Sequence, residues 1–228
     1  MNLGQLKTHV ANRTGNDSID SVLTEFVNQV QYDFCSRFPF SWRKSLPVSI
    51  NSVANQNYLN PSAYLPGFGD PIDAFELSTP QKLIYLPEWN IGVVDPDWFK
   101  TSPTNKGRPT HYSIQWNDQD QSLSRLWLYP TPDSAYQLRF RYLRNPPEIS
   151  NTSSSLFIPA KYHYGVAAGV ESLVWQMDED LKSSSAANQR YEAVIARAID
   201  EENNLPDYQP HFEAPSIFVD YSDPFLEM

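Results

Sequence analysis

One cysteine, eight glycines and no long apolar run set the first limits on this 228-residue chain. The lone Cys35 excludes an intrachain disulfide framework and CxxC metal sites, and fits a protein matured in a reducing compartment. His9, His111, His163 and His211 show neither HxH nor HxxxH spacing, and no dense carboxylate cluster accompanies them. GxGxxG, the P-loop, GxSxG and HExxH are all absent. No segment approaches the ~18 apolar residues that span a bilayer. The opening MNLGQLKTHVANRTG lacks the continuous apolar core of a signal peptide, so the chain is expected to be intracellular at synthesis, with no membrane partner. Cations are also scarce: 17 Lys and Arg against 27 Asp and Glu give a net charge of −10, a poor balance for gripping phosphates. No catalytic residue, cofactor or metal is expected.

What is abundant is aromatic residues (14 %) and proline, at 19 residues. With so little glycine, this composition points to ordered connections in place of flexible linkers. The most legible stretch is Gly107 to Ile149. Tyr112, Ile114 and Trp116 alternate with His111, Ser113 and Gln115. Leu126 to Tyr129 is apolar throughout, and Tyr136, Leu138, Phe140 and Tyr142 alternate with Gln137, Arg139 and Arg141. Turn clusters at 117–120 and 130–134 separate the runs, which predicts a three-stranded antiparallel meander.

Helical patterns flank this β region. Leu3 to Val10 reads as a short helix ended by Gly15, with Asn16, Asp17 and Ser18 as cap residues for a second. In that second helix Ile19, Val22, Leu23, Phe26, Val27, Val30, Phe34 and Phe38 form one apolar stripe. Pro39 stops it, and FPFSW forms an aromatic hinge before an alternating run, Leu46, Val48 and Ile50. Between residues 51 and 106, Tyr58-Leu59, Ala74 to Leu77 and Leu83 to Leu86 read as strands. Short helical turns are expected around Glu88-Trp89 and Asp97 to Phe99. Ser150 to Ser155 reads as a polar linker, and Pro159 suits a first helical turn. Val166, Ala167, Val170, Val174 and Met177 then stripe a helix whose Gly165, Ala168 and Gly169 permit close approach. Asp178 to Ser185 reads as a loop, before a last helix with Ala187, Tyr191, Val194, Ile195 and Ala198 on one face. The fold class is α+β: a helical bundle from 1–43 and 156–204, a β-rich insert at 44–155, and an extended C-terminal arm at 205–228. Phe26 and Val170 are expected in one bundle core.

Two features could meet partners. Arg139 and Arg141 share a strand face with Arg144 just beyond, a basic surface for an acidic protein partner. The arm carries Tyr208, Phe212, Phe218, Tyr221 and Phe225, with four prolines, five acidic residues and no Lys or Arg. It reads as a segment that docks aromatic anchors on another subunit. Cys35, set among Phe34, Phe38 and Phe40, reads as a small buried hydrophobe and not as a nucleophile served by His163 or His111. His163 reads as a packed polar residue at a helix start.

The ordered set SRFPFSWRKS (36–45), GRPTHYSI (107–114), LWLYPTPDSAYQLRFRYLRNPP (126–147) and FIPAKYHYGVAAGVESLVWQMDED (157–180) resembles the head-to-tail adaptor (connector) proteins of tailed double-stranded DNA bacteriophages. The resemblance implies a structural virion protein of the neck, in a ring of about twelve copies around a DNA channel. It implies the portal protein, a tail or nozzle protein and further copies of itself as partners, with DNA passing through without specific binding. In such proteins the C-terminal segment reaches the portal. A tail-completion or tail-tube protein is the nearest alternative. A carbohydrate-binding module using Trp89, Trp98, Trp116 and Trp127 is a more distant one.

Overall fold

The computed structural model describes residues 1–16, 20–79, 81–86, 105–115 and 124–204. The arm, the turns around Trp89 and Trp98, Trp116 and the cap residues Asp17 and Ser18 lie outside the described residues.

Among the described residues four long helices frame the chain: α1 (Leu3–Thr14), α2 (Asp20–Ser36), α4 (His163–Met177) and α5 (Leu181–Asn203). Asn2 and Gln5 form a reciprocal capping box at the start of α1, and Gly15, at φ 69°, closes it with its N–H on Ala11 O. The α2 stripe does what its spacing predicts: Leu23, Val27, Val30 and Phe34 are buried, with Phe26 and Phe38 half-buried against the same core. Helix α4 packs against the three others. Its small residues make this possible: a Cβ on Gly165 would lie 2.5 Å from Val194 Cγ1, and one on Gly169 2.7 Å from Val30 Cγ1. Val170 is fully buried, so α2 and α4 share one core across the insert.

Among its described residues the insert holds ten strands: β1 (Val48–Asn51), β2 (Tyr58–Leu59), β3 (Phe68–Glu76), β4 (Gln81–Lys82), β5 (Ile84–Tyr85), β6 (Lys106–Gly107), β7 (His111–Gln115), β8 (Arg125–Tyr129), β9 (Thr131–Pro132) and β10 (Gln137–Arg144), with a one-turn helix, α3 (Pro61–Tyr64), after β2. They form one sheet in the order β1-β10-β3-β4, a second in the order β2-β8-β7-β5, and a parallel β6-β9 pair. Leu138, Phe140, Tyr142 and Ala74 of the first sheet share a core with Tyr112, Ile114, Leu126 and Leu128 of the second. Phe140 meets Tyr112 edge-on at 5.7 Å.

The meander predicted over 107–149 is therefore broken after two strands. β7 and β8 do pair antiparallel, but β10 belongs to the other sheet, where β1 and β3 fill both of its edges. The cause lies in the Pro130–Ser134 break. Two of its residues have no N–H to donate, Thr131-Pro132 pairs with Lys106-Gly107, and Tyr136 is captured by Ser52. Four smaller expectations also change. The loop expected at Asp178–Ser185 is only a tight turn, because the Asp180 carboxylate accepts from Ser183 N and Oγ and starts α5 at Leu181. Met177, placed on the apolar stripe, is exposed at the end of α4. The run at 46–50 pairs only from Val48, and Leu46 is 85 % exposed before it. Leu83 to Leu86 splits between the two sheets, with Leu83 buried at the crossing.

Candidate partner interface

The chain leaves the bundle at residues 37–44 and returns at 144–158, and the two passages are bound to each other. Phe40 stacks on Trp42 at 4.1 Å, and Phe34 and Tyr162 complete the aromatic cluster. Arg43 is buried at the centre of the junction. Its Nη1 donates to Cys35 O at 2.5 Å, its Nε to Arg144 O at 3.0 Å and its Nη2 to Asn145 Oδ1 at 3.4 Å. One guanidinium thus satisfies carbonyls from the end of α2 and the end of β10, which is why a charge is tolerated there. Lys44 bridges to Leu143, and Ser45 N donates to Tyr142 O at 2.7 Å. On the returning side, Asn28 Oδ1 accepts from Ile149 N at 2.8 Å and Gln31 Oε1 from Phe157 N at 2.7 Å. The residues expected to be a polar linker are held to α1: Leu3 N donates to Ser154 O and Gly4 N to Thr152 O.

The last turn of α5 is tied to this junction. Glu202 accepts from Ser41 N at 2.9 Å and from Ser41 Oγ at 2.8 Å. Glu201 accepts from Lys161, Tyr162 and Arg197, and these bonds hold its carboxyl near 2. The described chain thus ends beside the meeting point of bundle and insert; the arm at 205–228, with Tyr208, Phe212, Phe218, Tyr221 and Phe225, follows in sequence and lies outside the described residues.

The three arginines of the basic strand differ in their surroundings. Arg141 is held by Asp73, with Nε to Oδ1 at 2.8 Å. Arg144 donates to Trp42 O at 3.3 Å and lies over the Phe157 ring. Arg139 is exposed, with no ion pair or side-chain hydrogen bond among the described residues. Buried polar residues not evident from the sequence include the following three. Arg43 is one. Glu171, 2 % exposed, joins Arg13 of α1 at 3.1 Å and Arg190 of α5 at 2.7 Å, clamping α4 between them. Glu76 is fully buried. Burial raises its pKa, but hydrogen bonds from Ser78 and Thr79 prevail and hold it near 2. A lone carboxylate inside GVAAGVESLVW is the signal that could have marked Glu171.

The groups weighed for chemistry are packed away separately. Burial pushes the Cys35 thiol up to about 11 against the lowering effect of Arg43, which leaves it a protonated core residue at neutral pH. His163 is buried at the start of α4, with Nε2 2.7 Å from Ile158 O. His111 sits in the insert beside Thr110 Oγ1. Among the described residues no three His, Cys, Asp or Glu are grouped to hold a metal ion, and no helix is long and apolar enough to cross a membrane. Trp127 is edge-on to Tyr58 and donates to Gln115 Oε1 at 3.2 Å; the other three tryptophans considered for a sugar face lie outside the described residues.

A family model described as SU10 adaptor protein matches residues 1–212. No curated protein matches the sequence. That family is one of phage structural adaptors of the virion, which meet other head and tail proteins, and it is not a known enzyme family. The match over nearly the whole chain places it plainly: the chain belongs to the SU10 adaptor protein family.

Proposed function

We propose that this chain is a ring-forming adaptor of the phage neck, joining the portal of the head to a tail or nozzle protein and lining the DNA channel with about twelve copies. The observation that carries the reading is the junction: an adaptor-family chain has its helical and β cores clamped around one buried arginine, with the last turn of α5, which leads into 205–228, tied to Ser41 beside the clamp. The working units are the bundle (1–43 with 156–204), the insert (44–155) and the arm (205–228). A rigid junction lets each subunit bear load between head and tail. The arm, through Tyr208, Phe212, Phe218, Tyr221 and Phe225, docks on the portal or a neighbouring subunit. Its prolines reduce the entropy lost on ordering an extended chain, and its rings become buried anchors. Arg139, with Arg141 and Arg144 beside it, offers a basic face to an acidic partner. The net charge of −10 suits a channel that DNA must traverse without being held.

Deleting 205–228 tests the reading. The truncated chain is expected to fold as a monomer and to fail to co-sediment with portal-containing heads. Undiminished binding would show that the bundle makes the attachment instead.

A further inference from the structure

The outer side of the β1-β10-β3-β4 sheet carries a row of side chains that nothing in the described structure covers. Directly opposite residues of an antiparallel ladder point to the same face. Ser49 is opposite Arg139, Arg139 opposite Phe75, and Phe75 opposite Lys82. The adjacent row, Ile50, Leu138 and Glu76, is buried in the core, which puts the first row on the outside. Ser49, Arg139 and Lys82 are exposed, and Phe75 is half-buried between the two cations. Neither Arg139 nor Lys82 has an ion pair or side-chain hydrogen bond among the described residues. At ~4.8 Å between strands, the two cations stand about 10 Å apart with an aromatic ring between them. Such a strip suits an extended segment that offers carboxylates and rings in alternation.

This chain carries such a segment. Residues 205–228 hold five carboxylates, five aromatic rings and no cation, and so account for −5 of the net −10. The described chain also ends near the ladder, at Asn204. Glu202 is fixed to Ser41, and the ladder of the same sheet begins at the Lys44–Leu143 bridge. Arg139 lies four residues along β10 from Leu143, about 13 Å at ~3.3 Å per residue. With the three residues from Ser41 to Lys44 adding up to about 10 Å, about ten extended residues beyond Asn204 reach Arg139, well within the 24 of the segment. Tethering over so short a path gives an effective concentration of the order of millimolar, sufficient for a contact of modest intrinsic strength.

We propose that this sheet face docks residues 205–228 of its own chain before assembly, with arm carboxylates on Arg139 and Lys82 and an arm ring against Phe75. The proposal rests on the arm's proposed role as the partner-binding segment and adds where the arm sits until a partner takes it. In the free protein this contact would cover rings that are otherwise adhesive.

The experiment uses the full-length monomer and the Arg139→Glu/Lys82→Glu variant, whose changes are both on the surface. Cleavage within 205–228 by a protease that cuts after aromatic residues is followed over time. The wild type is expected to be cut several-fold more slowly, with the difference shrinking towards 1 M salt as the charges are screened. Equal rates at low salt overturn the proposal. A pair of cysteines, Arg139→Cys with Phe212→Cys or with Phe218→Cys, supplies a second readout, since Cys35 is buried and out of reach. A disulfide within one chain supports the proposal; one formed only between chains, or none with either pair, overturns it. Head binding is read separately with the Lys82→Glu single variant, which leaves the arm and Arg139 unaltered, and is expected to persist while cleavage of the arm still speeds up. Faster cleavage with heads still bound supports both readings, whereas unchanged cleavage removes only this one.

Discussion

The bundle and the insert have cores of similar chemistry but are specified in different ways. In the bundle each helix carries its own apolar stripe, and packing needs only close approach, which Gly165 and Gly169 provide. In the insert the strands are two to nine residues long, and each depends on partners far away in sequence: β10 lies between β1 and β3, some 60 to 90 positions earlier. The buried carboxylates run the other way: Glu171 ties three helices through ion pairs, whereas Glu76 accepts mainly within its own turn, from Ser78 and Thr79, with Arg108 at 3.8 Å. For the apolar cores, local pattern determines the bundle, and non-local pairing determines the insert.

Equal deletions in the two cores are the strongest way to break this comparison. Phe34 and Phe140 are both fully buried, and Phe34 touches Phe40, Trp42, Tyr162 and Tyr191. Phe34→Ala and Phe140→Ala are each expected to cost about 3–5 kcal/mol in denaturant unfolding. If either costs under about 1 kcal/mol, that core is not the one described.

Arg43→Met comes next. It removes donors from Cys35 O and Arg144 O while keeping an apolar stem, for a loss of about 2–4 kcal/mol. The sharper readout is cooperativity. Calorimetry of the wild type is expected to show one transition and the variant two, one for each core. A single transition in the variant would mean that the aromatic stack couples the halves without the arginine.

Two glycines sharpen the comparison at smaller scale. A Cβ on Gly69 would lie 2.6 Å from Leu143 O, a backbone atom beside the ladder that cannot give way. A Cβ on Gly169 would meet Val30 Cγ1 at 2.7 Å, and a valine methyl can shift. Gly69→Ala is expected to lower stability by about 2–3 kcal/mol. Gly169→Ala should cost less, about 1 kcal/mol, because alanine's better helix propensity offsets part of the clash. Equal costs would mean that helix α4 is as unyielding as the sheet.

How far the sequence could be read follows the same division. The stripe from Leu23 to Phe34, the close-packing glycines and the helices themselves were legible because their signal is periodic and local. Strand existence was legible for β7, β8 and β10, since alternation marks them. Their pairing was not, because alternation says which face is inward and nothing about the neighbour. The basic strand was legible, but Asp73 beside Arg141 and Lys82 beyond Phe75 come from β3 and β4, whose register no local pattern encodes. Arg43 was hidden by its type: an arginine in an aromatic run reads as surface until both carbonyls it satisfies are in view.

The smallest expected effect separates the regions by pH. Burial, opposed by the hydrogen bond to Ile158 O and aided by the Met1 amino group 2.7 Å from Nδ1, lowers the His163 pKa below its ordinary 6.5. Between the two values the unfolded chain binds the proton and the folded one does not. Stability is therefore complete above about pH 6.5 and is lost as pH falls through the folded value. Glu76 follows the same direction in a lower window, from its ordinary 4.5 down to about 2. Mild acid should thus weaken the bundle first and strong acid the insert. The check is the drop in Tm between pH 7.5 and 5.5, which is expected to shrink in His163→Gln and to stay as in the wild type in Glu76→Gln. Below pH 4.5 the order should reverse, with Glu76→Gln showing the flatter profile. A His163→Gln drop as large as that of the wild type would mean that the acid response of the bundle arises elsewhere, and would leave the buried imbalance at the head of α4 without consequence for stability.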